Sequence, residues 1–574
     1  MKAAGRMPSY RARSWSLVGI LAIAALALVW RAVDQQIFET DFLQDEGERR
    51  HLRAVEVPAH RGMITDRTGE PLAISTPVDS VWANPRILAP DRRALEPLAK
   101  ALGMKADDLR QTLAKRSNRA FVYLKRRINP ETAAAVSKLL EEGKIKGVGL
   151  ERGYRRYYPG GEVFAHVVGF TDMDDVGQEG AELAYESWLR STPGKKLVIR
   201  DGHARVVRDV ESIQAPVEGK NLALSIDRRL QYLAYRELKS AVKQHQAQSG
   251  SAVILDVRSG EVLAMVNQPA YNPNGKKGGR PGRFRNRAVT DVFEPGSTMK
   301  PFTVAAALES GRYQPASVID TTPGFLQVGR NRVRDHHNLG VIDVATIIRK
   351  SSNVGVSKIA LDLTGEQLWD LYSKMGFGET TGVGFPGEVG GQLTPYQSWA
   401  RIEQATLSFG YGLSVTSLQL ARAYAVFASG GVKRPVSLVR VEQPVKGKPI
   451  ISRATARAMV EMMESVVSRE GTAQQAAVAG YRVAGKTGTV KKSISGGYSE
   501  DHYLSVFAGL APVSDPRLVM VVMIDDPQGK KYYGGEVAAP VFAKVMSGAL
   551  RLLNIAPDDM ERYGVRLAAA RGSE

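Results

Sequence analysis

The sequence predicts an α+β fold: an antiparallel sheet with helices on both sides, preceded by an elongated mixed α/β pedestal and one transmembrane helix. Stretches of strand character near residues 222–266 and 483–523 enclose a long run of helical periodicity, so one sheet draws its strands from both ends of a single domain. Residues 50–220 have another texture, in which short extended runs alternate with amphipathic ones. Residues 15–30 are uncharged and apolar, between basic neighbours. With 574 residues, 43% hydrophobic and 24% charged, the chain is long enough for several cores and too apolar to be mainly disordered.

Lys2, Arg6, Arg11 and Arg13 precede the apolar run and Arg31 closes it. If Arg31 snorkels, Ala32 and Val33 extend the span toward the roughly 20 residues a membrane helix needs. A cleaved signal peptide is the alternative, but the small residues Ala22, Ala24, Ala25 and Ala27 lie inside the run rather than after it. The basic residues place residues 1–14 in the cytoplasm as a short tail and the remainder outside, with 15–33 as a single span. Residues 34–53 read as a polar, helix-like segment.

Within the pedestal, 50–220, residues 54–75 predict a hairpin turning at Asp66-Arg67-Thr68-Gly69. Residues 91–150 turn helical, with Leu95, Leu98, Ala99 and Leu102 on one face and a further helix over 132–140. Residues 154–207 read as extended and glycine-punctuated. Their acidic loop, Asp172, Asp174 and Asp175, lacks the spacing and closing glutamate of a calcium loop and reads as a solvated turn. The second domain, 221–555, opens with a strand at 222–226, a helix at 228–245 and a hairpin at 251–266. Helices follow over 298–309, 344–363 and 417–428, strands return at 483–484 and 505–523, and residues 556–574 form a charged tail.

Composition narrows the chemistry. No cysteine is present, which excludes disulfides, thiolate zinc sites, iron–sulfur clusters and cysteine nucleophiles. Lys and Arg number 78 against 59 Asp and Glu, a net +19 that favours anionic lipid, acidic wall polymer or nucleic acid. No nucleic-acid motif accompanies the charge, and Gly376-Phe377-Gly378 lacks the third glycine of a dinucleotide fingerprint. Adjacent His336 and His337 have no H-E-x-x-H companion, so no metal and no cofactor are expected.

Ser297-Thr298-Met299-Lys300 follows Glu294-Pro295-Gly296 at a helix start, with the serine and lysine on one helix face. An unprotonated lysine there takes the serine proton and makes the alcohol a nucleophile, provided burial or a neighbouring cation lowers its pKa. Ser240-Ala241-Val242-Lys243 has the same spacing and reads as solvated helix surface. Ser351-Ser352-Asn353, at an elbow of a later helical stretch, supplies a hydroxyl and an amide suited to relaying a proton. Lys486-Thr487-Gly488-Thr489 lies in a strand, where Gly488 lets a substrate backbone approach. In this order, Ser-x-x-Lys, Ser-x-Asn and Lys-Thr-Gly form the signature of penicillin-recognising serine acyl-enzymes.

The chain resembles the class B penicillin-binding proteins of the division-specific type. The resemblance is carried by those motifs with Phe293 and Pro301, by Lys350 to Gly355, by Tyr411-Gly412-Leu413-Ser414-Val415-Thr416, and by Tyr532-Tyr533-Gly534-Gly535. It extends to Arg61-Gly62, Asp66-Arg67, Gly69, Gly177, Gly180 and Glu182 in the pedestal. It implies a penicillin-binding serine transpeptidase domain crosslinking peptidoglycan stem peptides in the periplasm, anchored in the inner membrane and acylated by β-lactams. By that resemblance Ser297 attacks the carbonyl between two terminal D-alanines with Lys300 as base. Ser351 and Asn353 shuttle the proton and orient the amide. Lys486, Thr487 and Thr489 meet the substrate carboxylate, and the backbone N–H groups of Ser297 and Thr489 form the oxyanion hole. Tyr503, Phe507, Tyr532 and Tyr533 are candidates for an aromatic wall, with sheet packing as the alternative. A membrane glycan polymerase, other division proteins and the anionic membrane surface are the implied partners.

The stretch Arg334-Asp335-His336-His337-Asn338 departs from the family pattern and bears on the loop before the second motif. A β-lactamase shares all three motifs, but no Glu-x-x-Leu-Asn stretch stands between Asn353 and Lys486 to activate water. A penicillin-sensing receptor normally carries more spans or an intracellular output domain, and a vestigial division scaffold is disfavoured by the intact catalytic side chains.

Overall fold

The computed structural model describes residues 11–38, 52–200, 206–275, 281–494 and 497–559. Residues 1–10 of the expected cytoplasmic tail, residues 39–51 of the helix-like segment and residues 560–574 of the charged tail lie outside them. The N-terminal helix runs Arg11–Val33. The stretch Arg13–Ile37 is long and apolar enough to cross a membrane. Trp15 and Trp30 stand exposed near its ends, as interfacial rings do.

The chain divides into two compact units. The first comprises residues 1–60, 77–155 and 191–218. Here Leu52–Val57, Gly194–Arg200 and Val206–Gln214 form an antiparallel sheet. The hairpin expected over 54–75 is therefore split. Residues 52–57 pair with Gly194–Arg200, and only Ile64–Thr65 turns back onto the strand that begins at Pro71. The predicted turn forms because the Asp66 carboxylate accepts from Thr68 N and Glu70 N at 2.8 and 2.9 Å. Helices Arg92–Leu102, Ala106–Ala114 and Pro130–Glu141 occupy much of 91–150, and Leu95, Leu98, Ala99 and Leu102 enter the core as their spacing predicts. A strand, Val122–Ile128, interrupts them. Its β-branched and aromatic residues pair with residues 79–83, a long-range partner that helical periodicity cannot reveal.

The second unit comprises residues 61–76, 156–190 and 219–574. Its elements are α1 (Arg228–Gln244), β1 (Ser249–Asp256), β2 (Val262–Gln268), α2 (Lys300–Glu309), β3 (Phe325–Val328), β4 (Asn331–Arg334) and α3 (Val344–Lys350). They continue with α4 (Asn353–Asp362), α5 (Ser417–Ala428), β5 (Ala484–Ile494), β6 (Gly497–Ala511), β7 (Leu518–Asp525) and α6 (Ala539–Leu552). The sheet order is β2-β1-β7-β6-β5, antiparallel throughout, with strands from both ends of the domain. Helices cover both faces. A Cβ at Gly250 would sit 3.1 Å from Val242 of α1, whereas the hydroxyl of the next residue, Ser251, meets Ser417 of α5 at 2.7 Å. Successive strand residues point to opposite faces, so α1 and α5 lie on opposite sides. Sandwiched strands read as near-continuous apolar runs, as in Leu518–Asp525.

Other expectations shift in detail. The strand at 222–226 is only Leu222–Ala223, and the extended stretch 154–207 holds short helices at Ala165–Val168, Gly180–Ala184 and Glu186–Leu189. A buried ion cluster joins that segment to Arg61. Glu182 accepts from Arg61 Nε and Arg156 Nε at 2.6 Å each, and Arg61 also reaches Glu186 at 2.7 Å. Helices at Gly365–Met375, Arg401–Leu407 and Arg453–Val466 join those read from the sequence. The second Ser-x-x-Lys copy lies on α1 with Ser240 and Lys243 both exposed.

Candidate functional site

Pro295 and Gly296 break the preceding extended chain, and Ser297 sits on a single 3₁₀ turn, Gly296–Met299, that runs into α2. Gly296 has φ +55°, and a Cβ there would meet Val490 of β5 at 2.4 Å. Only glycine seats this turn against the strand. The next turn carries Lys300 into the interior, where it is 0% exposed. Its Nζ donates to Ser351 O at 2.5 Å, Asn353 Oδ1 at 2.7 Å and Ser351 Oγ at 3.0 Å. Among the described residues its hydrogen bonds thus run to the second motif rather than to Ser297.

The helix expected over 344–363 breaks at the second motif. Ser351 ends α3 in the left-handed region, φ +63°, and Ser352 starts α4 as its N-cap, accepting from Gly355 N at 2.9 Å. A non-glycine residue in that conformation is strained, and surrounding contacts must hold it. They include a residue that the motif reading left out. Asp335 accepts from the Ser352 hydroxyl at 2.6 Å and from Val354 N at 3.0 Å, and also from Asn353 N. A carboxylate on the first N–H groups of a helix is favoured by both orphan donors and dipole. The one sequence signal was its place in the atypical stretch 334–338. Asp335→Asn replaces one acceptor oxygen with a donor, and we expect β-lactam acylation to fall about tenfold, roughly 1.4 kcal/mol, in stopped-flow kinetics.

Lys486, on β5, is also 0% exposed and donates to Ser351 Oγ at 3.0 Å. With both lysines as donors, the two lone pairs of Ser351 Oγ are taken and its O–H remains to donate into the cavity. Burial pushes Lys486 down to about 7. Lys300 lies well below its ordinary value, first because it is desolvated and second because Lys486 repels its charge, with Asp335 opposing. Three acceptors favour the ammonium form, but desolvation and the second cation outweigh them, and the neutral amine, with two N–H groups, keeps at most two of the three bonds. A buried lysine held neutral near Ser297 is the state a general base requires.

A cavity of about 650 Å³ opens here, lined by Ser297, Ser351, Asn353, Thr487, Thr489 and Tyr503 among others. The structure brings together the serine, the second motif and both threonines, with Lys300 and Lys486 buried beside them. Tyr503 stacks on Tyr532 at 4.2 Å and Tyr532 on Tyr533 at 4.5 Å, and all three line the cavity. Phe507 does not. It is fully buried and packs edge-on against Phe542 of α6 at 4.8 Å, because that helix covers its part of the sheet. Gly488 also has a different role from the one expected. A Cβ would meet Pro295 O at 2.9 Å and Thr298 Cγ2 at 3.1 Å, so its missing side chain makes room for the serine turn and not for substrate. Thr487 pairs with Thr472 at 2.9 Å and Thr489 Oγ1 accepts from Gly534 N at 3.0 Å. Tyr411, His336 and Glu536 join the lining; Tyr411 stands in a stretch that carries the family resemblance and His336 in the atypical stretch 334–338, whereas Glu536 has no signal in the sequence. As the last strand of the sheet, β5 leaves one edge free for an extended ligand.

A family model for the penicillin binding protein transpeptidase domain matches residues 250–547, and one for the penicillin-binding protein dimerisation domain matches 56–224. The chain is 45% identical over 549 residues to peptidoglycan D,D-transpeptidase FtsI of Escherichia coli, covering 94% of this chain and 92% of the relative. It is 41% identical over 549 residues to a probable peptidoglycan D,D-transpeptidase PenA of Neisseria meningitidis, with the same coverage. Among solved structures, the apo TP domain of Burkholderia pseudomallei penicillin-binding protein 3 aligns with TM-score 0.55 at 43% identity, covering 58% of this chain and 97% of that one. A peptidoglycan synthetase from Bifidobacterium adolescentis aligns with TM-score 0.69 at 27% identity, covering 88% and 98%.

Proposed function

The chain belongs to the penicillin-binding protein transpeptidases, and from that premise we propose that it crosslinks peptidoglycan stem peptides as a serine D,D-transpeptidase. The observation that carries the reading is the shared hydroxyl of Ser351, held by Lys300 and Lys486 beside Ser297. Neutral Lys300 takes the Ser297 proton as Oγ attacks the carbonyl between two terminal D-alanines. The negative oxygen of the tetrahedral adduct is received by the N–H groups of Ser297 and Thr489. Collapse breaks the C–N bond, and the leaving amine takes a proton from Ser351 Oγ, which Lys300 or Lys486 restores. An amine of a second stem peptide then attacks the acyl ester, the C–O bond to Ser297 breaks, and the proton the amine loses passes through Lys300 to Ser297 Oγ, which completes the crosslink. Thr487 and Thr489 offer hydroxyls to the substrate carboxylate, Lys486 supplies positive charge, and the tyrosine wall flanks the ligand. A β-lactam enters the same first step and stops at the acyl-enzyme.

The apolar N-terminal helix supports single-pass anchoring, and the basic residues before it support a cytoplasmic N-terminus with the catalytic domain in the periplasm. Resemblance in the Glu294 to Thr298 and Tyr411 to Thr416 stretches supports septal wall synthesis, and the pedestal with the membrane helix supports work beside a membrane glycan polymerase and other division proteins. Intact-protein mass spectrometry of the full chain in detergent, incubated with a penicillin beside Ser297→Ala, tests the central reading. We expect a long-lived adduct that the variant lacks. An adduct cleared within seconds would favour a hydrolase, and no adduct on folded protein would favour a scaffold.

A further inference from the structure

Among the described residues the hairpin β3–β4 pairs with no other strand, and its two faces differ. In its register Phe325 opposes Arg334, Leu326 opposes Val333 and Gln327 opposes Arg332. Directly opposed residues share a face. Leu326, Val328 and Val333 therefore turn inward, and Phe325, Gln327, Arg332 and Arg334 form an exposed outer face, with Arg330 in the turn. The Arg332 guanidinium lies 4.4 Å over the Phe325 ring and its Nε donates to Gln327 Oε1 at 3.3 Å, so it is the Nη edge of its fork that is left for an anion. Arg330 and Arg334 make no side-chain hydrogen bond or ion pair among the described residues.

Among the described residues no carboxylate pairs with Arg330, Arg332 or Arg334, and the nearby acids in the sequence bond elsewhere. Asp320 accepts from Thr322 N at 2.8 Å, Asp343 from Thr346 N at 2.7 Å, and Asp335 is spent on the start of α4. The hairpin is also joined to the site: Asn353 Nδ2 donates to Arg334 O at 3.0 Å, and His336 lines the cavity. Other cations on the cavity rim are engaged. Lys350 donates to Glu470 O at 2.8 Å, and Lys491 pairs with Glu500.

We propose that the outer face of this hairpin docks the carboxylates of the stem peptide whose amine resolves the acyl-enzyme. The inference rests on the transpeptidase reading and names where its acceptor strand lies. Stem peptides are carboxylate-bearing chains, and a planar guanidinium beside an aromatic ring receives a carboxylate bidentately. Arg334, at the base of the hairpin, is tied through its carbonyl to Asn353, which lines the cavity with Ser297, so a peptide held on this face lies beside the cavity mouth.

The test is co-sedimentation of the full chain in detergent with purified peptidoglycan sacculi, in a Ser297→Ala background that cannot acylate. Arg332→Gln with Arg334→Gln weakens binding about tenfold at low salt, the loss expected for two solvent-exposed ion pairs. Amidating the carboxyls of the sacculi causes the same loss in the parent and none further in the variant, since both remove one interaction. Lys446→Gln with Lys448→Gln, which removes equal charge from exposed positions before and within the short strand Lys448–Pro449, leaves binding unchanged. An unchanged thermal midpoint confirms that the hairpin variant is folded, and Arg330→Gln, in the turn, serves if it is not. Undiminished binding by the folded variants, indifference to amidation, or preference for anionic phosphatidylglycerol vesicles over sacculi overturns the proposal. Failure of the Ser297-containing chain to form a penicillin adduct would instead remove the transpeptidase reading and leave the binding result standing.

Discussion

Lys300→Met lowers the second-order rate constant for β-lactam acylation by about 10³ to 10⁴, the upper range for loss of a general base, while the protein still folds. Met fills similar volume and needs no partner, so the fully buried site is not left with an uncompensated charge. The wild-type rate falls on acidification, because burial and the Lys486 charge hold Lys300 neutral only above its lowered pKa. Lys486→Met removes the repelling cation, lets the Lys300 pKa rise, and moves the acid limb of the pH profile to higher pH. Stability changes with pH in the same sense. Each lysine has a folded pKa below its unfolded one, so the unfolded state binds more protons in between and stability rises with pH across that window. For Lys486 the window runs from about 7 up to the ordinary lysine range. Stopped-flow acylation across pH, with intact-mass detection of the adduct, measures these effects. A Lys300→Met enzyme acylated at the wild-type rate would end its assignment as the base.

Glu182→Gln destabilises the second unit by about 3–5 kcal/mol, because it leaves two buried guanidinium groups without their shared carboxylate. Arg61, Arg156 and Glu182 are at most 1% exposed at their side chains, so water cannot replace the lost partner. Glu186 remains near Arg61, yet Arg156 loses its only carboxylate among the described residues. The cluster ties residue 61 to residues 156 and 182, distant in the chain but within one compact unit. Denaturant titration or limited proteolysis of the full chain reads the effect, and an unchanged midpoint would show that the buried pairs contribute nothing net.

The three motifs were legible because each couples a special backbone position to a side chain, and such positions leave local marks. Pro-Gly before Ser297, paired cap-forming serines before Asn353 and a glycine between two threonines are all visible without a structure. The apolar N-terminal run and the α+β order were legible for similar reasons, since hydrophobic periodicity and charge are properties of the chain itself. What the tertiary structure decided is which of these groups meet. Lys300 turns to Ser351 and Asn353, and Asp335 holds their helix start. Phe507 and Tyr503 have the same parity on one strand, yet α6 buries the first and the cavity takes the second. Gly488 gives way to Pro295 rather than to substrate. Sequence alone sets which residues are able to do the chemistry, because that is a matter of side-chain type and local conformation. Contacts across tens or hundreds of residues depend on how elements pack, and only the folded chain fixes them.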